Sequence, residues 1–94
     1  MATLPKPPPM LRLRLYVAGR SPNSLRAIAN CRAICAEHFA TGHELEIVDL
    51  LEHPERALAD GVIVTPTLLT LLPRRVRVVG NLSDTSQVLL ALSR

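Results

Sequence analysis

Flat side chains are almost absent: the 94 residues hold one Tyr (Tyr16), one Phe (Phe39) and no Trp. A chain this poor in rings offers no stacking platform for unpaired bases, which argues against single-strand nucleic-acid binding. Cysteine is as sparse. Two cysteines cannot build a disulfide framework. Long apolar runs are missing too. The longest such stretch, Val62–Leu72, has eleven residues and contains Pro66, too short to cross a bilayer. Met1–Met10 carries Pro5, Pro7, Pro8 and Pro9 and does not resemble a signal peptide. It reads as an extended, flexible arm ahead of one domain at residues 11–94. The expectation is a reduced, cytoplasmic setting with no membrane and no nucleic-acid partner.

What is present is aliphatic and unevenly charged. Hydrophobic residues make up 48% of the chain, enough for one modest core. Residues 1–36 hold six bases (Lys6, Arg12, Arg14, Arg20, Arg26, Arg32) and no acid. Residues 37–60 hold seven acids against Arg56 alone, and residues 61–94 turn basic again through Arg74, Arg75, Arg77 and Arg94 against Asp84. An acidic middle between basic ends suits complementary packing, self-association or docking on a charged protein. Nucleic acid calls for a stronger, unbroken basic excess.

Along the chain, Leu11, Leu13, Leu15 and Val17 alternate with Arg12, Arg14 and Tyr16, which predicts a strand with one buried face. Ser21 reads as an N-cap and Pro22 as a first-turn proline, whose missing N–H costs nothing there. Leu25, Ile28, Cys31, Cys35 and Phe39 then recur at helical spacing up to about Ala40. Glu44–Asp49 alternates again, with Leu45 and Ile47 set against Glu44, Glu46 and Val48. A brief helix follows His53–Pro54, and Gly61 closes it. Leu68–Leu72 and Val76–Val79 predict a hairpin, and Ser83 is expected to cap a last helix with Asp84 placed against its dipole. The order is βαβαββα. A long crossover helix makes the first two strands parallel, and the hairpin adds antiparallel ones. This is an α/β, thioredoxin-like arrangement: a four-stranded mixed sheet flanked by helices.

Two stretches narrow that reading. Leu15-Tyr-Val-Ala-Gly-Arg-Ser-Pro-Asn-Ser-Leu-Arg-Ala27 resembles the strand–turn–helix entry of the KaiB family. Val48-Asp-Leu-Leu…Pro54, followed by Thr65-Pro-Thr-Leu68…Leu72-Pro73…Val76…Gly80-Asn-Leu-Ser83, resembles that family's second half in order and spacing. Together they span about residues 11–92. The resemblance implies a clock or timing regulator that binds the ring of a KaiC-type ATPase and modulates its phosphorylation or ATPase cycle. It also implies that a dimer or tetramer is possible, since typical members populate a second, tetrameric fold, and that some relatives serve stress roles instead.

Site expectations follow. Thiol–disulfide chemistry in this fold needs a Cys at the start of the first helix, where Ser21-Pro22-Asn23-Ser24 stands instead. Cys31 and Cys35 are four apart within a helix, a poor geometry for a disulfide. With His38 they give three of the four ligands that structural zinc wants, and only the distant His43 or His53 could complete the set, so they read as core, with no metal and no cofactor expected. An enzyme alternative would use Ser21 or Ser24 in a glutathione-type site, but no aromatic or basic pocket set completes it. The resemblance implies a cis peptide at Thr65–Pro66 and a partner surface on the edge strand and helix of Asp49–Gly61, with Asp49, Leu50, Leu51, Glu52, Pro54, Glu55 and Asp60 as its residues. It also draws attention to Ala91-Leu92-Ser93, where clock-type members read Gly-Leu-Asp and continue past the position at which this chain ends. Alanine exceeds glycine in a helix by about 1 kcal/mol, which moves a ratio of two near-equal folds about fivefold. Losing an acid near a helix C-terminus acts in the same direction. Ala91 and Ser93 are therefore expected to hold the thioredoxin-like state.

Overall fold

Leu11, Leu13, Leu15 and Val17 do share one buried face, in strand β1 (Leu11–Val17) of a computed structural model that describes residues 11–40 and 42–93. The expected Pro-rich arm at 1–10 and Arg94 lie outside the described residues. The remaining elements are α1 (Pro22–His38), β2 (His43–Asp49), α2 (Glu55–Asp60), β3 (Thr67–Leu72), β4 (Val76–Val79) and α3 (Thr85–Leu92). The strand order is β2-β1-β3-β4, with β1 parallel to β2 and the other pairings antiparallel. The βαβαββα order and the mixed sheet are as the sequence predicts, and β2 lies at an edge.

The main core forms between one face of the sheet and two helices. β1 contributes its Leu and Val side chains, β3 contributes Leu68, α1 contributes Ala27, Cys31, Ile34 and Cys35, and α3 contributes Val88 and Leu92. Each fully buried Leu is worth about 1.5–3 kcal/mol relative to exposure.

Three expectations change. Leu25 is half exposed; the inward stripe of α1 begins at Ser24 and Ala27 instead. Hydrogen bonds rotate the helix start that way. The Ala18 N–H donates to Ser24 Oγ at 3.0 Å, and the Ser21 hydroxyl donates to the same atom at 2.8 Å. Second, β1 buries both faces near its end: Tyr16 is fully enclosed, together with Val48 and Leu69. Val48 was expected to point outward with the glutamates, but the segment after β2 folds back over that side. Third, Asp84 rather than Ser83 caps α3, its carboxylate accepting from the Gln87 N–H at 3.1 Å. Either residue type serves as an N-cap. Asp84 has its carboxylate in reach, while Ser83 is held one step earlier by the Asn81 side chain.

Candidate functional site

The charge segregation of the sequence resolves into a cross-strand ladder. On the sheet face away from α1 and α3, parallel register sets Arg12 opposite Glu44 and Arg14 opposite Glu46. Arg12 Nε lies 3.5 Å from Glu44 Oε1, and Arg14 Nε lies 2.8 Å from Glu46 Oε1. Arg56 of α2 adds a bidentate grip on Glu46 at 2.8 and 3.0 Å. That grip, joined by Arg14, overcomes the effect of burial and pulls the Glu46 carboxyl down to about 2. An open groove of about 430 Å³ over this ladder is lined by Arg12, Leu13, Arg14, Glu44, Glu46 and Leu71, its charges already paired with one another.

Toward the other end of the same face, the next residues form a second cluster. Asp60, the last residue of α2, accepts from Arg14 Nη1 at 2.7 Å and from the Tyr16 hydroxyl, with Arg75 Nη2 at 3.5 Å. Burial alone would raise its carboxyl, but the Tyr16 hydroxyl and the Arg14 guanidinium outweigh it and hold Asp60 below the usual carboxylate range. Burial, and then the Asp60 carboxylate, push the Tyr16 hydroxyl up. Arg77 donates to the Gly61 carbonyl at 2.8 Å and also reaches that of Asp60. The acidic middle thus meets both basic ends of the chain inside one molecule.

Asp49 is likewise engaged. Its Oδ1 accepts from the Gly19 and Leu51 N–H groups, both at 2.9 Å, and these backbone donors lower its carboxyl. Gly19 sits at φ +59°, a backbone conformation that favours glycine, and the Asp49 carboxylate ties this β1–α1 turn to the β2–α2 turn. Gly61, at φ +65°, closes α2 as expected.

Of the seven residues expected at a partner surface, Asp49 and Asp60 face inward partners and Leu50 is half-buried beside Tyr16. Leu51, Glu52, Pro54 and Glu55 are exposed, with His53 Nδ1 3.6 Å from Glu55. Sequence reasoning missed Leu58, Ile63 and Val64. Leu51, Leu58 and Ile63 are 72%, 87% and 94% exposed, large apolar side chains left in water on one segment. The available signal was the brevity of α2: six residues with no periodic apolar stripe, so Leu58 had no core to enter.

At the α1 entry, Ser21 accepts from the Ser24 N–H at 3.3 Å, and buried Ser24 is spent on Ser21 and Ala18. The Thr65–Pro66 peptide is cis, as is Leu72–Pro73, which sequence reasoning did not single out. Cys31 and Cys35 are free and buried. Among the described residues no three His, Cys, Asp or Glu side chains gather where they could hold a metal ion. Ala91 lies within α3, and Ser93 caps its end, the hydroxyl donating to the Leu89 carbonyl at 2.8 Å. No helix among the described residues is long and apolar enough to cross a membrane.

A four-stranded mixed sheet in the order β2-β1-β3-β4, with a first helix that begins on a serine cap, defines a thioredoxin-like domain. The comparisons with known proteins carry this further. The KaiB domain family matches residues 14–94. Circadian clock protein KaiB3 of Synechocystis is 46% identical over 81 residues, covering 85% of this chain and 79% of that protein. Circadian clock oscillator protein KaiB of Prochlorococcus marinus is 44% identical over 81 residues, covering 85% and 68%. The chain belongs to the KaiB family. Among solved structures, the N-terminal domain of Synechococcus elongatus SasA superposes with a TM-score of 0.74 at 25% identity, covering 96% of this chain and 87% of that one. Mitochondrial thioredoxin 3 of Saccharomyces cerevisiae shares the fold at TM-score 0.71 and 10% identity, covering 90% and 78%.

Proposed function

We propose that this chain is a non-catalytic, cytoplasmic regulator that docks on the ring of a KaiC-type ATPase and modulates its phosphorylation or ATPase cycle. The supporting observation is the exposure of Leu51, Leu58 and Ile63 on the segment that continues from the edge strand β2. Side chains of this size, when covered by a partner, contribute about 1.5–3 kcal/mol each. An edge strand adds unpaired backbone groups for the same encounter. Leu51, Glu52, Pro54 and Glu55 are the contact residues in this reading, and Asp49, Leu50 and Asp60 support them from beneath. Family membership, with relatives named as circadian clock proteins, supports the choice of partner.

The test is binding of the purified chain to a KaiC homologue from the source cell, with and without ATP. Glu52→Lys with Glu55→Lys is expected to weaken binding at least several-fold, and unchanged affinity removes the two acids from the interface. A Ser-based glutathione site has less support, because the Ser21 and Ser24 hydroxyls are already committed to the helix cap; a thiol-transfer assay is expected to read blank. In the same proposal Ala91 and Ser93 keep the chain in the thioredoxin-like state, and a dimer or tetramer is the assembly that light scattering would report if they do not.

A further inference from the structure

Helix α2 contributes no buried side chain, yet its Asp60 reaches Tyr16, and the exposed Leu51 and Ile63 flank it on either side. Apolar packing holds it only at its flanks, where Leu50 and Val62 lie against Tyr16, Val48 and Leu69. The contacts of the helix itself are polar and converge on its last residue. Asp60 has a side chain only 10% exposed, placed over two rungs of the sheet. One rung runs Glu46, Arg14, Leu69, Arg77 across all four strands, and the next runs Val48, Tyr16, Thr67, Val79. Asp60 takes Arg14 from the first and Tyr16 from the second, and Arg75 closes from the hairpin. Arg77 fixes the carbonyls of Asp60 and Gly61. The second hold on α2, Arg56 on Glu46, lies at a more exposed pair.

We propose that Asp60 is a positioning residue: its carboxylate, gripped by Tyr16, Arg14 and Arg75, latches α2 to the sheet and thereby presents Leu51, Leu58 and Ile63 to a partner in one arrangement. The inference rests on the docking reading above, but it moves Asp60 from the contact surface to the hinge behind it. A charge-assisted hydrogen bond in a sheltered site is much stronger than a neutral one. Breaking the latch leaves α2 with the exposed Arg56–Glu46 pair and its flanking Leu50 and Val62, and with no buried side chain of its own to return it. The rest of the fold keeps its own core on the opposite side of the sheet.

The experiment is amide hydrogen exchange on the free chain, read at Ala57, Gly61 and Val62, whose N–H groups close α2. Asp60→Asn is expected to speed exchange there about tenfold to a hundredfold, while amides of β1 and of Cys31–Cys35 in α1 keep their rates. Tyr16→Phe, which removes only the hydroxyl, is expected to give a smaller rise at the same amides. Unchanged exchange at α2 overturns the latch, as does an equal rise throughout the fold. Affinity for the KaiC homologue is then measured on the same variants. A loss that follows the exchange rates from Tyr16→Phe to Asp60→Asn supports positioning. A loss in Asp60→Asn without faster exchange makes Asp60 a contact residue and overturns the proposal, and so does faster exchange with full affinity. If the unaltered chain fails to bind, the docking reading falls, and the exchange data still decide whether the latch exists.

Discussion

The two faces of the sheet are built on different physics. Under α1 and α3, the contact is aliphatic: Leu13, Leu15 and Leu68 meet Ala27, Ile34 and Val88 with almost no exposed area. On the other face the same strands offer Arg12, Arg14 and Tyr16, and α2 brings Arg56 and Asp60. The apolar packing there is the smaller cluster of Tyr16, Val48 and Leu69 with Leu50, Val62 and Leu71. Apolar contact is non-directional and survives small shifts, whereas a hydrogen-bonded ion cluster holds only at its own geometry. One face therefore carries most of the buried aliphatic core, and the other holds α2 through directional polar contacts. The exposed Leu51, Leu58 and Ile63 lie on the segment that covers the second side.

That contrast is open to direct attack. The largest effect is expected on the aliphatic face. Leu15→Ala, at a fully buried site, should cost about 2–5 kcal/mol of global stability, seen as a lower denaturant midpoint with an unchanged slope. A loss well under 1 kcal/mol would mean that this face is not the main core. Next comes α3, which belongs to the same side. Ala91→Gly should cost about 1 kcal/mol in the same unfolding curve. It also tests the fold-state proposal, because new amide signals of a strand within residues 85–93 are expected only if a second fold is close in energy.

Smaller effects belong to the polar face. Glu46 has its folded-state carboxyl at about 2, below its ordinary value of 4.5, so the folded form binds its proton more weakly than the unfolded form. The stability it contributes is present above pH 4.5 and is lost as pH falls toward 2. Asp60, also lowered, acts in the same direction below its ordinary 3.8. Glu46→Gln should change neutral-pH stability by only about 0.2–1 kcal/mol, since the pair is half open to solvent. It should, however, visibly flatten the acid limb between pH 4.5 and 2. An acid limb of unchanged steepness would show that Arg56 and Arg14 do not hold this carboxylate in solution.

The two faces also differ in how legible they were in the sequence. Leucines at every second position of β1 and the Ser21–Pro22 helix start are local signals that mark the first strand, the start of α1 and the aliphatic core. The edge position of β2 follows only from the thioredoxin-like arrangement. The polar face was not legible in the same way. Tyr16 and Val48 look outward by alternation, and only the return of residues 50–66 over the sheet encloses them. Asp49 and Asp60 look like surface acids because their partners, Gly19, Arg14 and Arg75, are far away in the chain. A trace of the ladder was visible: Arg12 and Arg14 in one strand and Glu44 and Glu46 in its parallel neighbour share both spacing and register. Reading those pairs together sets Glu44 and Glu46 beside Arg12 and Arg14. Leu58 and Ile63 were hidden for the converse reason, since an apolar residue near a short helix is ordinarily assigned to a core.

The smallest expected change in stability is the sharpest test of what the second face is for. Leu58→Ser and Ile63→Ser remove side chains that are 87% and 94% exposed. Since they bury almost nothing in the free chain, unfolding stability should stay within about 0.5 kcal/mol. If the segment is a docking surface, the same pair should weaken binding to a KaiC homologue by tenfold or more, because each loses about 1.5–3 kcal/mol of transfer energy on being covered. Aliphatic residues of the buried face cannot show this pattern, since any loss of binding there travels with a loss of fold. A double variant with unaltered stability and unaltered affinity would leave Leu58 and Ile63 as solvent-facing residues, and the interface would then have to be sought along the β2 edge alone.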